Sequence, residues 1–364
     1  MQRVCADTNV DYMESASTLV FLNGEFWGVY NIRERYSPEY VESHYGVDKE
    51  NVAVIESDYS QVHTNHMADY VVSSGIEGDA DSFNAMTAYM RSHNLADPEA
   101  YAYVCSQMDI DSFIDMWVIR LFFNARDWPE NNMKVWRNRN PEDPSGFDTK
   151  WHFTLLDMDM GLTFFPSNTG ENTSENANFF WFITHSGSVC GQMMRDLLNN
   201  PGFREQFMLR YYEIVNDYLT ADYMSAEFEA LVAERDPLMP LQVKRWGYSL
   251  GTWNSDVSDI RSFIANRTKY ALSFFYNHFG TSAEEMENLS YRRVTVSYNP
   301  DRVEVYVNGE RVSNGTQFRF EDAQRDFEVS VTVKAGYTLN GIVWVPNSGS
   351  GQREDNATSV TFKV

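Results

Sequence analysis

Cysteine is scarce in this 364-residue chain, with only Cys5, Cys105 and Cys190. Three scattered thiols can build neither a disulfide framework nor a tetrahedral zinc site, and they read as small buried apolar residues. No run approaches 18 consecutive apolar residues, which excludes a transmembrane helix. The opening residues, Met1–Asp7, lack the apolar core of an export signal. Bases are outnumbered, 29 Lys and Arg against 52 Asp and Glu, for a net charge of −23. A field of that sign repels phosphate backbones, so nucleic acid is not an expected partner. The seven histidines show no zinc spacing, and no Ser-His-Asp signature or phosphate-cradling Gly-rich loop occurs.

What is present can fold. Hydrophobic residues make up 43% and aromatics 15%, enough for a substantial core, and the length suits two or three domains. Residues 291–364 hold nine acidic and nine basic side chains, so the whole negative excess lies in 1–290; 37–116 alone carry fifteen acids against two bases.

Asn23-Gly24 between two apolar runs predicts a hairpin, with Tyr30, Ile32 and Glu34 alternating onto one face among apolar neighbours. A short helix is expected at 38–46, a strand at 52–55, and helices near 80–93 and 97–107. Residues 109–123 read as a helix buried on several faces. A second hairpin is expected from 133–137 and 151–157, then a polar loop at 166–178 and about a hundred helical residues. Within these, Val257, Ile260, Ile264, Arg267, Ala271 and Phe274 keep a helical stripe. Residues 281–290 read as a linker, and 291–364 as a small all-β, sandwich-like module with strands such as Phe318–Phe320 and Ile342–Val345.

Two acidic sites could carry chemistry. Asp127 and Asn132 stand five apart in the loop after the buried helix; Asp157 and Asp159 are expected to project from one face of a strand end. Adjacent carboxylates repel, and a hard divalent cation relieves them, with Asn132 completing the site through its amide oxygen. Asp127 would then be free to accept or orient a hydroxyl proton. Each piece also has a plain reading: a solvated strand end for Asp-x-Asp, a turn for Asp127-Trp128-Pro129. Their order, however, is that of phosphoryl-transfer catalysts of the protein-kinase type.

Three stretches carry a resemblance: Val20–Glu34, Asn124–Asn132 and Trp151–Asp159. Together they resemble the signature of the spore coat protein H (CotH) kinase family over roughly 15–280, and Leu198–Arg204 and Arg245-Trp246 are similar to it as well. The resemblance implies an α+β, atypical protein-kinase-like fold over 1–280, with a partial N-lobe and a helical C-lobe. It implies ATP- and Mg²⁺-dependent (or Mn²⁺-dependent) phosphorylation of Ser/Thr in secreted, coat or surface proteins, by a protein that is itself extracellular or surface-bound. It assigns Asp127 as the catalytic aspartate, Asn132 and Asp157 as metal ligands, and Asp159 as a supporting carboxylate. Glu34 and Tyr30 would sit by the adenine. Kinase-like folds hold the phosphates with a lysine on an earlier strand. Here the first lysine is Lys49, so an incomplete N-lobe and weak or absent ATP binding are expected. The C-terminal module resembles β-repeats of bacterial surface proteins. A non-catalytic binding protein on the same scaffold and a nucleotidyl transferase are the competing readings, and the acidic excess suits a basic, Ser-rich protein substrate.

Overall fold

The computed structural model describes residues 1–61, 64–165, 172–290, 293–319, 326–344, 352–355 and 358–363. Part of the loop read at 166–178, and the expected strand ends Phe320 and Val345, lie outside that description. The chain is α+β and divides into two compact units, Met1–Gly280 and Thr281–Val364.

The first unit begins with a hairpin of β1 (Ser15–Leu22) and β2 (Glu25–Arg33), turned by Asn23 and Gly24 at φ +52° and +84°. Positive φ at both positions is what a type I′ turn demands. Then come α1 (Pro38–Tyr45), β3 (Val52–Glu56), β4 (Val71–Ser74), α2 (Asp81–Ser92), α3 (Pro98–Gln107) and α4 (Ile110–Phe122). The strands β5 (Lys134–Asn138) and β6 (His152–Phe153) complete an antiparallel sheet in the order β4-β3-β5-β6. Six helices close the unit: α5 (Trp181–His185), α6 (Val189–Leu198), α7 (Pro201–Glu213), α8 (Ala221–Arg235), α9 (Met239–Trp246) and α10 (Leu250–Phe279).

Helix α4 is the centre of this unit. Asp109 caps it, accepting from the Ser112 N–H at 3.0 Å, and every helical residue except Asp111 is buried. Its one buried carboxylate finds partners, as burial requires. Asp115 is held bidentately by Arg210 of α7, both contacts 2.7 Å, and accepts from the Asn9 N–H at 2.7 Å. The carbonyls of Leu121 and Phe122, which a helix C-terminus leaves without intrahelical partners, accept from Arg267 of α10 at 2.9 and 2.6 Å. The stripe on α10 runs through Val257, Ile264, Arg267, Ala271 and Phe275; Phe275 rather than Phe274 faces inward, and Ile260 is only partly covered.

The β1–β2 ribbon pairs with no other described strand and leans on helices instead. The Val29 N–H donates to Gln242 (2.8 Å), Arg235 donates to Ser17 (3.1 Å) and Asn31 (2.8 Å), and Arg245 lies 4.3 Å from the Trp27 ring. Gly28 permits this approach: a Cβ there would stand 3.0 Å from Gln242 Oε1. Tyr30 and Ile32 remain 43% and 65% exposed, against the apolar surroundings expected beside Glu34. A ribbon with helices on one side only leaves its other side to solvent.

His152 is a charge device inside this fold. Its ring stacks on Trp136 at 4.8 Å and reaches Asp148 (2.9 Å) and Asp109 (3.6 Å). Burial pulls the imidazole pKa down, but the bonds and charges of Asp109 and Asp148 outweigh it and raise it to about 9. A raised folded-state pKa gives stability that is complete below the unfolded value near 6.5 and is lost as pH climbs through about 9. The expected loss between pH 6 and 9.5 is about 2–3 kcal/mol, because a proton held only by the folded state is worth roughly 1.4 kcal/mol for each step of one in pH. Denaturant titrations at several pH values check it; His152→Gln should flatten that slope, and an unchanged slope refutes the assignment.

In the second unit, α11 (Ala283–Ser290) occupies most of the stretch read as a linker. Among the described residues eight strands follow: β7 (Arg293–Thr295), β8 (Val303–Val307), β9 (Glu310–Val312), β10 (Gln317–Arg319), β11 (Asp326–Val333), β12 (Gly341–Trp344), β13 (Gln352–Asp355) and β14 (Ser359–Lys363). They form one four-stranded sheet, β14-β11-β8-β9, and the pairs β10-β7 and β12-β13. Val305, Val307, Phe327, Val329 and Val360 make its core.

Candidate active site

Beyond α4 the backbone turns at Asn124 (φ +55°), whose amide is gripped from both sides: it donates to Ser174 O (2.7 Å) and accepts from Arg267 (2.8 Å). Trp128 buries its ring edge-on against Trp117 (4.3 Å) and donates to Met133 Sδ (2.9 Å). The Trp128–Pro129 peptide is cis. This packing fixes the loop that carries Asp127 and Asn132. The Asn132 amide donates to Asp127 Oδ2, while Asp127 Oδ1 is buried without a hydrogen-bond partner among the described residues.

Asp157 is positioned differently from the strand-end expectation. β6 ends at Phe153, and the chain then pairs with Asp11, Leu155 N–H donating to Asp11 O at 2.9 Å. Asp157 itself takes φ +46°. Strand alternation therefore does not aim Asp157 and Asp159; a left-handed residue does. Gly161 sets the exit, since a Cβ there would meet Phe123 O at 2.6 Å, and the Leu162 N–H donates to that same carbonyl at 2.9 Å. The segment is pinned to the end of α4.

One side chain joins the two segments. Arg120, wholly buried on α4, donates from Nη2 to Asn132 O (3.0 Å) and to Leu156 O, with its guanidinium 5.3 Å from the Trp128 ring. Its Nε and Nη1 have no partner among the described residues. Burial lowers the guanidinium to about 10, while Asp127 and Asp157 help keep it charged. Burial pushes the Asp127 carboxyl up, Arg120 opposes this, and Asp157 adds to the rise. Asp159 is raised by burial, then by the charge and hydrogen bond of Asp157 and by Asp127. Three carboxylates thus share one neighbourhood, with one buried cation behind them.

Could these residues hold a divalent ion? Among the described residues no group of three or more His, Cys, Asp or Glu side chains forms a metal cage. The donor set is leaner: two mutually repelling carboxylates, and an Asn132 whose amide nitrogen is committed to Asp127, which turns its oxygen free. That set suits Mg²⁺, which is held by one or two carboxylates plus substrate phosphates.

A cavity of about 200 Å³ opens beside Asp157, lined also by Arg33, Glu34, Arg35, Lys134 and Leu156. Glu34 therefore shares a cleft with Asp157. Its carboxylate accepts from the Glu14 N–H (2.9 Å) and pairs with His44 (2.8 Å). Tyr30 does not line this cleft; its ring lies over Gly28, near Gln242 and Trp246. Arg120, Arg33, Arg35 and Lys134 were not singled out from sequence. For Arg120 a signal existed: a base in a helix apolar on all faces must be buried with partners.

A family model described as CotH kinase protein matches residues 1–271, which makes the chain kinase-like in class. It belongs to the CotH kinase protein family. No curated protein matches it. No described helix is long and apolar enough to cross a membrane.

Proposed function

We propose that this protein transfers the γ-phosphoryl group of ATP to Ser or Thr hydroxyls of a coat or surface protein. The observation that carries the reading is the meeting of Asp127, paired to Asn132, with Asp157 and Asp159 about the Arg120 guanidinium. Asn132 and Asp157, supported by Asp159, would hold Mg²⁺ or Mn²⁺. Such an ion, when bound, neutralises charge developing on the phosphates. Asp127 orients the acceptor hydroxyl and takes its proton as the new O–P bond forms and the bond to the β-phosphate oxygen breaks, releasing ADP. Its raised carboxyl pKa suits proton acceptance. Glu34 is the adenine-side residue that lines the cleft; Tyr30 is not assigned that role.

The acceptor would be a basic, Ser-rich segment, attracted by the acid excess in 37–116. The unit Thr281–Val364 would act as a spacer or adhesion module. The test is incubation of the full chain with ATP, Mg²⁺ or Mn²⁺ and a basic Ser-rich polypeptide, read by mass. A gain of one phosphoryl group supports the reading. A nucleotidyl adduct, no transfer, or equal transfer by Asp157→Ala overturns it.

A further inference from the structure

We propose that Arg33 and Arg35 grip the polyphosphate of the bound nucleotide in the cleft that Asp157 lines. The assignment rests on the phosphotransfer reading.

Both arginines line the cavity that also contains Asp157 and Glu34. Among the described residues neither guanidinium makes a hydrogen bond or an ion pair, although each stands in a chain with almost two acids for every base. Lys134, the third cation of the cleft, is already committed: its Nζ lies 2.8 Å from Glu56 and 3.1 Å from Ser73. Glu34, between the two arginines in sequence, is turned to His44 and the Glu14 N–H, which occupy its two oxygens.

One cleft therefore holds Asp157, a carboxylate able to help hold a cation, together with two uncommitted guanidinium groups. A metal–polyphosphate needs both, and planar guanidinium groups bind phosphate oxygens bidentately. A lysine would act there only as a point charge. The preceding residues also fix Arg33 in place, since it ends β2 paired with Ser15.

Equilibrium binding to the full chain, with Mg²⁺ present, tests the assignment using ATP, adenosine and inorganic tripolyphosphate as probes. Arg33→Gln/Arg35→Gln should weaken ATP and tripolyphosphate at least tenfold and leave adenosine unchanged. In transfer assays the KM for ATP should rise with kcat nearly unaltered. Melting temperature should not move, because neither side chain has a partner to lose. If the wild type transfers phosphate and the double variant keeps its ATP affinity, this assignment alone is wrong. If tripolyphosphate binds through the arginines but no transfer occurs, the anion site stands and the kinase reading falls. If the wild type binds neither ATP nor tripolyphosphate, both fail.

Discussion

Asp127→Asn should lower phosphoryl transfer by about 10²–10⁴-fold, the usual contribution of a positioned acid–base group. Nucleotide affinity should hold. The substitution keeps the shape of the side chain, and one amide can still bond with Asn132, so the loop is not disrupted. What it removes is the group proposed to accept the hydroxyl proton. Stability should stay level or rise slightly, by up to ~1 kcal/mol, because a buried carboxylate with one unpartnered oxygen is replaced by a neutral group. A variant that is more stable and nearly inactive separates function from folding. Turnover within threefold of wild type would show that Asp127 handles no proton.

The second large effect is structural. Arg267→Met should destabilise the Met1–Gly280 unit by about 3–5 kcal/mol, the range for breaking a buried charged network. Arg267 is 1% exposed, and its guanidinium donates to Leu121 O, Phe122 O, Glu175 O, Ala177 O and Asn124 Oδ1, all within 2.9 Å. Removing it strands four carbonyls and an amide in the interior. Arg267→Lys, with three donors instead of five, should cost less. The internal control lies six residues earlier on the same helix: Arg261 bonds Glu229 at 2.7 and 2.8 Å but is 51% exposed, so solvent screens the pair and Arg261→Met should cost far less than Arg267→Met. Denaturant unfolding of each variant gives the comparison, and equal losses at both sites would contradict it.

Much of the scaffold was readable because its causes are local. Asn23-Gly24 supplies the left-handed turn, Pro38 and Gly46 bracket α1, and Asn200 before Pro201 caps α7 through the Phe203 N–H at 3.0 Å. The order of Asp127, Asn132 and Asp157 was likewise legible, being a matter of residues along one stretch. The aim of Asp157 was not. It depends on Asp11, some 146 positions earlier, taking the place of a partner strand, and on a positive φ at a non-glycine residue. The exposure of Tyr30 escaped the sequence for a related reason: alternation tells which residues share a face, not which face meets helices. Arg267 stood in the apolar stripe of α10 from the start, and a charge in such a stripe is the mark of a buried anchor.

That anchor also says how far the kinase-like unit extends. The chemical motifs end near Asp159, and a boundary drawn from them would cut the chain more than a hundred residues too early. The carbonyls that hold the Asp127 loop in place are satisfied from α10, so a fragment ending before Arg267 would keep Asp127, Asp157 and Asp159 and lose the floor beneath them. For excision, fusion or recombination between relatives, α10 travels with the loop.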